Sequence, residues 1–91
     1  MPYEWDDAKA AINRKKHGVE FATVEEFDWD TALVVPDDRL DYGETRWLAL
    51  GLIGKRLFSL AFTLRGDRIR VISLRRASRK ERKLYDGQNQ G

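Results

Sequence analysis

The chain has 91 residues, of which 42% are hydrophobic and 35% charged, and its formal net charge is +2. This composition predicts one globular domain over residues 1–91, with a core just large enough to fold alone, and no segment is apolar for long enough to span a bilayer. The absence of cysteine excludes disulfides and thiolate chemistry, and a single histidine argues against a transition-metal site. The first residues lack the pattern of a signal peptide, so we expect a cytoplasmic protein.

The first third of the chain predicts two helices. Asp6 suits the N-cap of a helix that ends near His17, and Gly18 supplies a left-handed stop. A second short helix is predicted over residues 20–27, where Phe21, Val24 and Phe27 share one side. The turn at Gly18 would then fold the two helices against each other as a hairpin.

From Thr31 onward the pattern changes to that of strands. Residues 32–35 form a short apolar run that Pro36 closes, and residues 36–39 read as a turn. Residues 45–52 and 57–64 alternate between larger apolar and smaller or polar side chains, as strands with one buried face do. Gly66-Asp67 fits a two-residue type II′ turn into a fourth strand.

The turn at Gly66-Asp67 also predicts the register of the last two strands. It pairs Thr63 with Arg70, Ala61 with Ile72, and Arg65 with Arg68. The large apolar residues would face the helices and leave the arginines on an open face. Ser78-x-x-Glu81 is a capping box for a last helix through Tyr85, followed by a flexible tail over about residues 87–91. The predicted fold class is α+β, with two N-terminal helices on a four-stranded antiparallel sheet and a short C-terminal helix.

Charge is distributed unevenly along the chain. Residues 65–85 carry seven Arg and two Lys against Asp67 and Glu81, a local balance of +7, which leaves −5 for the remainder. A basic surface of this kind is typical of a protein that binds a polyanion such as nucleic acid. The alternative is a solvated charged helix beside a strand edge that arginine protects. Asp37, Asp38 and Asp41 lack an EF-hand pattern and are interpreted as loop residues.

Spaced blocks along almost the whole chain carry a family resemblance. They are Glu4–Asp6, then Asn13 with Lys16–Val19 and Phe21, then Gly43-Glu44 with Arg46 and Leu50-Gly51, then Thr63 with Arg65–Ser73, and finally Arg75, Ala77, Glu81 and Tyr85. With these blocks the chain resembles the BrnT toxins of bacterial type II toxin-antitoxin systems, which are small ribonucleases with a RelE-like fold. Leu74 departs from the family pattern, because a small residue usually precedes the arginine pair.

The resemblance implies a ribonuclease toxin that cleaves RNA and so inhibits translation and growth. We expect no metal or cofactor to be required, because arginines can supply the positive charge that the reaction needs. It also implies neutralisation by a BrnA-type antitoxin, in a complex of two toxins with an antitoxin dimer that represses its own operon. Operator DNA would be contacted only through the antitoxin, and no membrane is involved. The alternative hypothesis is a non-enzymatic module that binds nucleic acid or antitoxin, such as a degenerate toxin retained for operon control.

Cleavage of RNA by its own 2′-hydroxyl needs a base, a cation near the phosphate and an acid for the leaving oxygen. The candidate catalytic residues are His17, Glu44, Arg65, Arg70 and Arg75. The candidate RNA-binding residues are Lys16, Arg46, Trp47, Arg68, Ser73, Arg76, Arg79, Lys80, Arg82, Lys83 and Tyr85. Structural roles stay open for several of them, since Trp47 could be core packing, Tyr85 a helix anchor and His17 a helix-end residue.

Overall fold

The computed structural model describes residues 2–38 and 43–89 and builds them around one five-stranded sheet. The elements in chain order are β1 (Tyr3–Glu4), α1 (Asp7–His17), a 3₁₀ helix (Phe21–Glu26), β2 (Leu33–Asp37), β3 (Arg46–Ile53), β4 (Arg56–Arg65), β5 (Arg68–Arg76) and α2 (Arg79–Asn89). The strand order is β1-β5-β4-β3-β2, with β1 parallel to β5 and every other pair antiparallel. Within the described residues, no helix is long and apolar enough to cross a membrane.

The predicted fold class is wrong in two respects. The second N-terminal helix is a 3₁₀ segment, and its buried residues Phe21 and Val24 are spaced by three, the period of that helix. The sheet is mixed and has five strands, because β1 pairs in parallel with β5. A strand of two residues is too short to show the alternation that reveals strands in a sequence.

The predicted ends of α1 are confirmed. The Asp6 carboxylate accepts hydrogen bonds from the backbone N–H groups of Ala8 and Lys9, at 2.8 and 3.2 Å. Gly18 ends the helix with φ at 71°, a left-handed conformation that glycine adopts without steric cost. The two residues therefore fix where α1 begins and ends, as the sequence predicted.

Both faces of the sheet are covered in part. On one face, α1 and the 3₁₀ helix cover the main core, which includes the buried residues Phe21, Val24, Leu60 and Leu74. On the other face, α2 covers a second cluster of Leu50, Leu57 and Tyr85. The helices therefore lie on opposite sides of the sheet, and α2 leaves one part of its face open.

The register of β4 and β5 is confirmed at the hairpin end and wrong beyond it. Thr63 lies opposite Arg70 and Arg65 opposite Arg68, as the turn predicted. Ala61 lies opposite Ser73 and not Ile72, because a β-bulge between Ala61 and Phe62 inserts one extra residue in β5. The predicted register assumed one-to-one pairing along both strands and therefore did not include the extra residue.

The end of β2 and the end of α2 both lie further along the chain than predicted. β2 continues through Pro36 to Asp37, so a turn does not begin at Pro36, and Arg39 and Asp41 lie outside the described residues. The capping box is confirmed, since the N–H of Glu81 donates to the Ser78 hydroxyl and the N–H of Ser78 donates to the Glu81 carboxylate. α2 then continues past Tyr85 to Asn89, and residues 90–91 lie outside the described part of the chain.

Candidate active site

One face of the sheet collects the arginines of three strands. Cross-strand pairing puts residues 59, 61, 63 and 65 of β4 on the same side as residues 75, 73, 70 and 68 of β5. The same side carries Arg46 of β3, through the pairing of Leu48 with Ala61. We call this surface the arginine face, and it consists of Arg46, Arg65, Arg68, Arg70 and Arg75, with Ser73 between the last two.

Glu81 holds the guanidinium of Arg75 in a fixed orientation. Nη1 and Nη2 of Arg75 each donate to a different oxygen of the Glu81 carboxylate, both at 2.8 Å. That carboxylate also accepts from the N–H of Ser78 at 2.8 Å and from the hydroxyl of Ser59 at 3.4 Å. The contact with Arg75, which is the largest cause, and the hydrogen bonds with Ser78 lower the pKa of Glu81 from 4.5 to about 2, although burial acts in the opposite direction. The first turn of α2 therefore clamps the end of β5.

Arg70 is held by a second carboxylate, from the short strand β1. Its Nη1 donates to Glu4 at 2.8 Å, and about 28% of the Arg70 side chain stays exposed. Glu4 reaches this position because β1 pairs in parallel with β5, with Glu4 in register with Arg70. The strand that the sequence did not reveal thus positions one of the predicted catalytic arginines.

Glu44 and Arg65 meet at the opposite end of the arginine face. The Arg65 guanidinium lies 3.5 Å from the Glu44 carboxylate, and the two side chains are 50% and 36% exposed. Arg65 lies opposite Arg68. Arg68 and Arg75 are seven residues apart on β5, a separation of about 20 Å at the usual rise of a strand. The Glu44–Arg65 pair and the Arg75–Glu81 pair therefore cannot act on the same phosphate.

His17 lies at the Arg75 end, in a cleft between α1 and β5. The cleft has a volume of about 190 Å³ and is lined by Lys9, Ile12, Asn13, Lys16, His17, Ile72 and Ser73. Burial lowers the pKa of His17 below its usual 6.5, and the positive charges of Lys16 and Arg75 lower it further. His17 is therefore mainly neutral at physiological pH, with one ring nitrogen free of a proton.

Asn13 fixes the cleft by completing the open edge of β5. Only two residues of β5 pair with β1, and Leu74 lies further along the same edge. The side-chain amide of Asn13 donates to the carbonyl of Leu74 at 2.8 Å and accepts from the N–H of Leu74 at 3.2 Å. The same amide donates to the carbonyl of Val19 at 3.1 Å. The sequence did not predict this role of Asn13. The available signal was the spacing of a polar residue in α1, three positions before Lys16.

Several predicted site residues lie away from the arginine face. Trp47 is on the opposite face of the sheet, packed against the main core. Tyr85 belongs to α2 and is buried against Leu50 and Leu57 of the sheet, and its hydroxyl donates to Thr31 at 3.2 Å. Exposed cations occupy the end of β5 and the surface of α2; these are Arg76, Arg79, Lys80, Arg82 and Lys83. In residues 2–38 and 43–89, no three His, Cys, Asp or Glu side chains converge as metal ligands would.

A comparison with protein families identifies the family of the chain. The model of the family described as "Ribonuclease toxin, BrnT, of type II toxin-antitoxin system" matches residues 5–81. The chain belongs to the BrnT family. The match begins at Trp5 and ends at Glu81, so it includes both α1 and the whole arginine face. This BrnT protein is therefore a ribonuclease toxin of a type II system, whose partner is an antitoxin. No curated protein matches the chain.

Proposed function

We propose that this BrnT protein cleaves RNA without a metal ion, at the end of the arginine face where His17 and Arg75 lie. The observation that carries the proposal is the forked contact between Arg75 and Glu81, because it fixes a guanidinium near enough to His17 for its charge to lower the pKa of that histidine. A cation fixed before the reaction stabilises charge in the transition state without a cost of reorganisation. Lys16, in the same cleft, would clamp the phosphate.

The reaction is an attack of the 2′-hydroxyl on the neighbouring phosphorus. Neutral His17 accepts the hydroxyl proton, the 2′-oxygen bonds to phosphorus, and the bond from phosphorus to the 5′-oxygen breaks. The leaving 5′-oxygen takes up a proton from water, protonated His17 returns its proton to the solvent, and the products are a 2′,3′-cyclic phosphate and a free 5′-hydroxyl. Arg75 contacts the equatorial oxygens, whose negative charge rises as the fifth bond forms.

The other arginines bind the RNA on one side of the reacting phosphate. Arg70 is fixed by Glu4 and is the arginine of this face that lies nearest to Arg75 along β5, so it supports the reaction by holding the adjoining phosphate. Arg46, Arg65 and Arg68 bind phosphates further along the RNA. Glu44 orients Arg65 and is too far from Arg75 to act as the base there.

A BrnA-type antitoxin would neutralise the toxin through a groove beside Glu81. The groove lies between α2 and strands β2 and β3, has a volume of about 250 Å³, and is lined by Leu33, Val35, Leu48, Leu50, Glu81, Leu84 and Gln88. Val35 and Leu84 are 42% and 56% exposed, which favours an apolar segment of the antitoxin as the occupant. Such a segment would contact Glu81 and disturb its hold on Arg75. Two toxins with one antitoxin dimer would then repress the operon in the cytoplasm, whereas free toxin would inhibit translation and growth.

One experiment tests both parts of the proposal. Purified protein is incubated with RNA in EDTA, alone or with its antitoxin, beside Arg75→Ala, Arg75→Lys and the matched surface variant Arg14→Ala. We expect cleavage by the free wild type and by Arg14→Ala, and about a hundredfold slower single-turnover cleavage by Arg75→Ala. Arg75→Lys keeps a charge opposite Glu81 but should recover little activity, because an ammonium lacks the planar fork. Added antitoxin should stop the reaction.

Three outcomes would contradict the proposal. A requirement for divalent metal would refute the metal-free mechanism. Normal cleavage by Arg75→Ala at saturating RNA would make Arg75 a binding residue. A wild-type protein that binds the antitoxin but cleaves no RNA would be a degenerate toxin retained for operon control.

A further inference from the structure

A second basic surface lies outside the arginine face, at the end of the sheet where β5 leads into α2. It is an open pocket of about 310 Å³ whose cations come from three separate elements. The hairpin of β3 and β4 contributes Lys55, in its turn, and Arg56, the first residue of β4. The end of β5 contributes Arg76, and α2 contributes Arg79 and Arg82. The remaining lining residues are Leu57, Ala77 and Ser78, and none of the lining residues carries a carboxylate. We call this surface the basic pocket.

The cations of the basic pocket differ from those of the arginine face in their pairing. Arg65, Arg70 and Arg75 each lie against a carboxylate, whereas none of the five pocket cations forms an ion pair with another described residue. Like charges that converge without a counter-charge repel one another. An anion that enters the pocket would relieve this repulsion, and local potential of this kind concentrates negatively charged ligands.

The basic pocket begins one residue beyond Arg75 on β5, since Arg76 is one of its lining residues. Arg75 and Arg76 are neighbours on β5, so their side chains point to opposite sides of the strand, one to the arginine face and one to the pocket. A nucleic-acid chain that leaves the phosphate at Arg75 would pass around the end of this strand. The pocket is then the first basic surface that it meets.

We propose that the basic pocket is a subsite for a backbone phosphate of the RNA substrate, on the side of the reacting phosphate that faces away from Arg70. The inference rests on the proposed function for its direction along the RNA. Arginine forks suit phosphate oxygens, and four of the five cations are arginines. A docked protein segment would need more apolar contact than Leu57 and Ala77 provide, which favours RNA over the antitoxin as the occupant.

The test uses a double variant with a closely matched control. Lys55→Ala/Arg56→Ala removes one lysine and one arginine from the pocket, and Arg14→Ala/Lys15→Ala removes an adjacent pair of the same types from the exposed end of α1. Affinity is measured by fluorescence anisotropy with a fully 2′-O-methylated RNA oligonucleotide, which cannot be cleaved, over a series of salt concentrations. Thermal unfolding and antitoxin affinity are measured for each variant.

We expect the pocket variant to bind the oligonucleotide at least tenfold more weakly, and the control less than threefold. The slope of log affinity against log salt should fall by about 0.7 for each phosphate contact that is lost, and only in the pocket variant. Equal losses in the two variants would refute the subsite and indicate nonspecific attraction. A loss of antitoxin affinity with unchanged RNA affinity would refute it in favour of a protein surface. If wild type cleaves no RNA but the pocket variant still loses affinity, the proposed function fails and the subsite stands.

Discussion

The contact between Glu81 and Arg75 gives the sharpest quantitative prediction. Replacing Glu81 by glutamine keeps the shape of the side chain, and the amide oxygen can still accept the hydrogen bond from the N–H of Ser78. The capping box at the start of α2 is therefore retained. What is lost is the negative charge opposite the Arg75 guanidinium, so the substitution isolates the charged contact from the helix cap.

The magnitude follows from the pKa of Glu81. A fall from 4.5 to about 2 corresponds to at most about 3.4 kcal/mol of folding free energy. Solvent reaches Arg75, 35% of whose side chain is exposed, and screens the pair. We therefore expect Glu81→Gln to lower the free energy of unfolding by about 1–2 kcal/mol at pH 7. The pKa is lowered on folding, so this contribution is complete above about pH 4.5 and is lost as the pH falls towards 2.

The assay is urea denaturation of wild type and Glu81→Gln at pH 7 and at about pH 3. The difference in stability should shrink by more than half at the lower pH, because the wild-type carboxylate contributes progressively less there. An equal difference at both values would show that the substitution acts through packing and not through charge. Glu81→Gln should also slow single-turnover cleavage of bound RNA, since Arg75 loses the group that orients it. An unchanged rate would refute the positioning role of Glu81.

Two further predictions concern the cleft beside Arg75. If His17 is the base, single-turnover cleavage should rise with pH through a midpoint below 6.5, and this rise should disappear in His17→Ala but persist in Glu44→Gln. A rise that survives in His17→Ala would place the base elsewhere. Asn13→Leu should lower the free energy of unfolding by about 2–3 kcal/mol in urea, since Leu74 then loses partners for both its N–H and its carbonyl. A loss below about 0.5 kcal/mol would mean that water replaces the amide.

The parts of the fold that sequence predicted correctly are those with a local cause. Asp6 and Gly18 set the ends of α1 through contacts within a few residues, and Ser78 with Glu81 does the same for α2. The Gly66-Asp67 turn fixed the register of Thr63 with Arg70 for the same reason. Each of these signals involves residues that are close together in sequence, so the prediction did not depend on distant parts of the chain.

The errors arose where distant parts of the chain decide the local structure. β1 is a strand only because the far edge of β5 offers it hydrogen bonds, as in the contact from the N–H of Ile69 to the carbonyl of Pro2. The bulge at Ile72 depends on the fit of two strands and has no signature in either one. Lys55 and Arg56 lie outside the predicted basic stretch in sequence, and only the folded sheet brings this end of the β3–β4 hairpin beside α2.

The ion pairs of the arginines suggest how this small protein assigns some cations to RNA cleavage and others to RNA binding. A guanidinium held by a carboxylate loses part of its net attraction for RNA, but it is fixed in orientation and suits a transition state whose charge appears at a defined point. An unpaired cation keeps its full attraction and its freedom, and so suits binding along a backbone. Arg70 and Arg75 are of the first kind, and the cations of the basic pocket, which form no ion pair with another residue in the described part of the chain, are of the second. Salt should therefore weaken binding through the basic pocket, whereas removal of the Glu81 carboxylate should affect mainly the cleavage step.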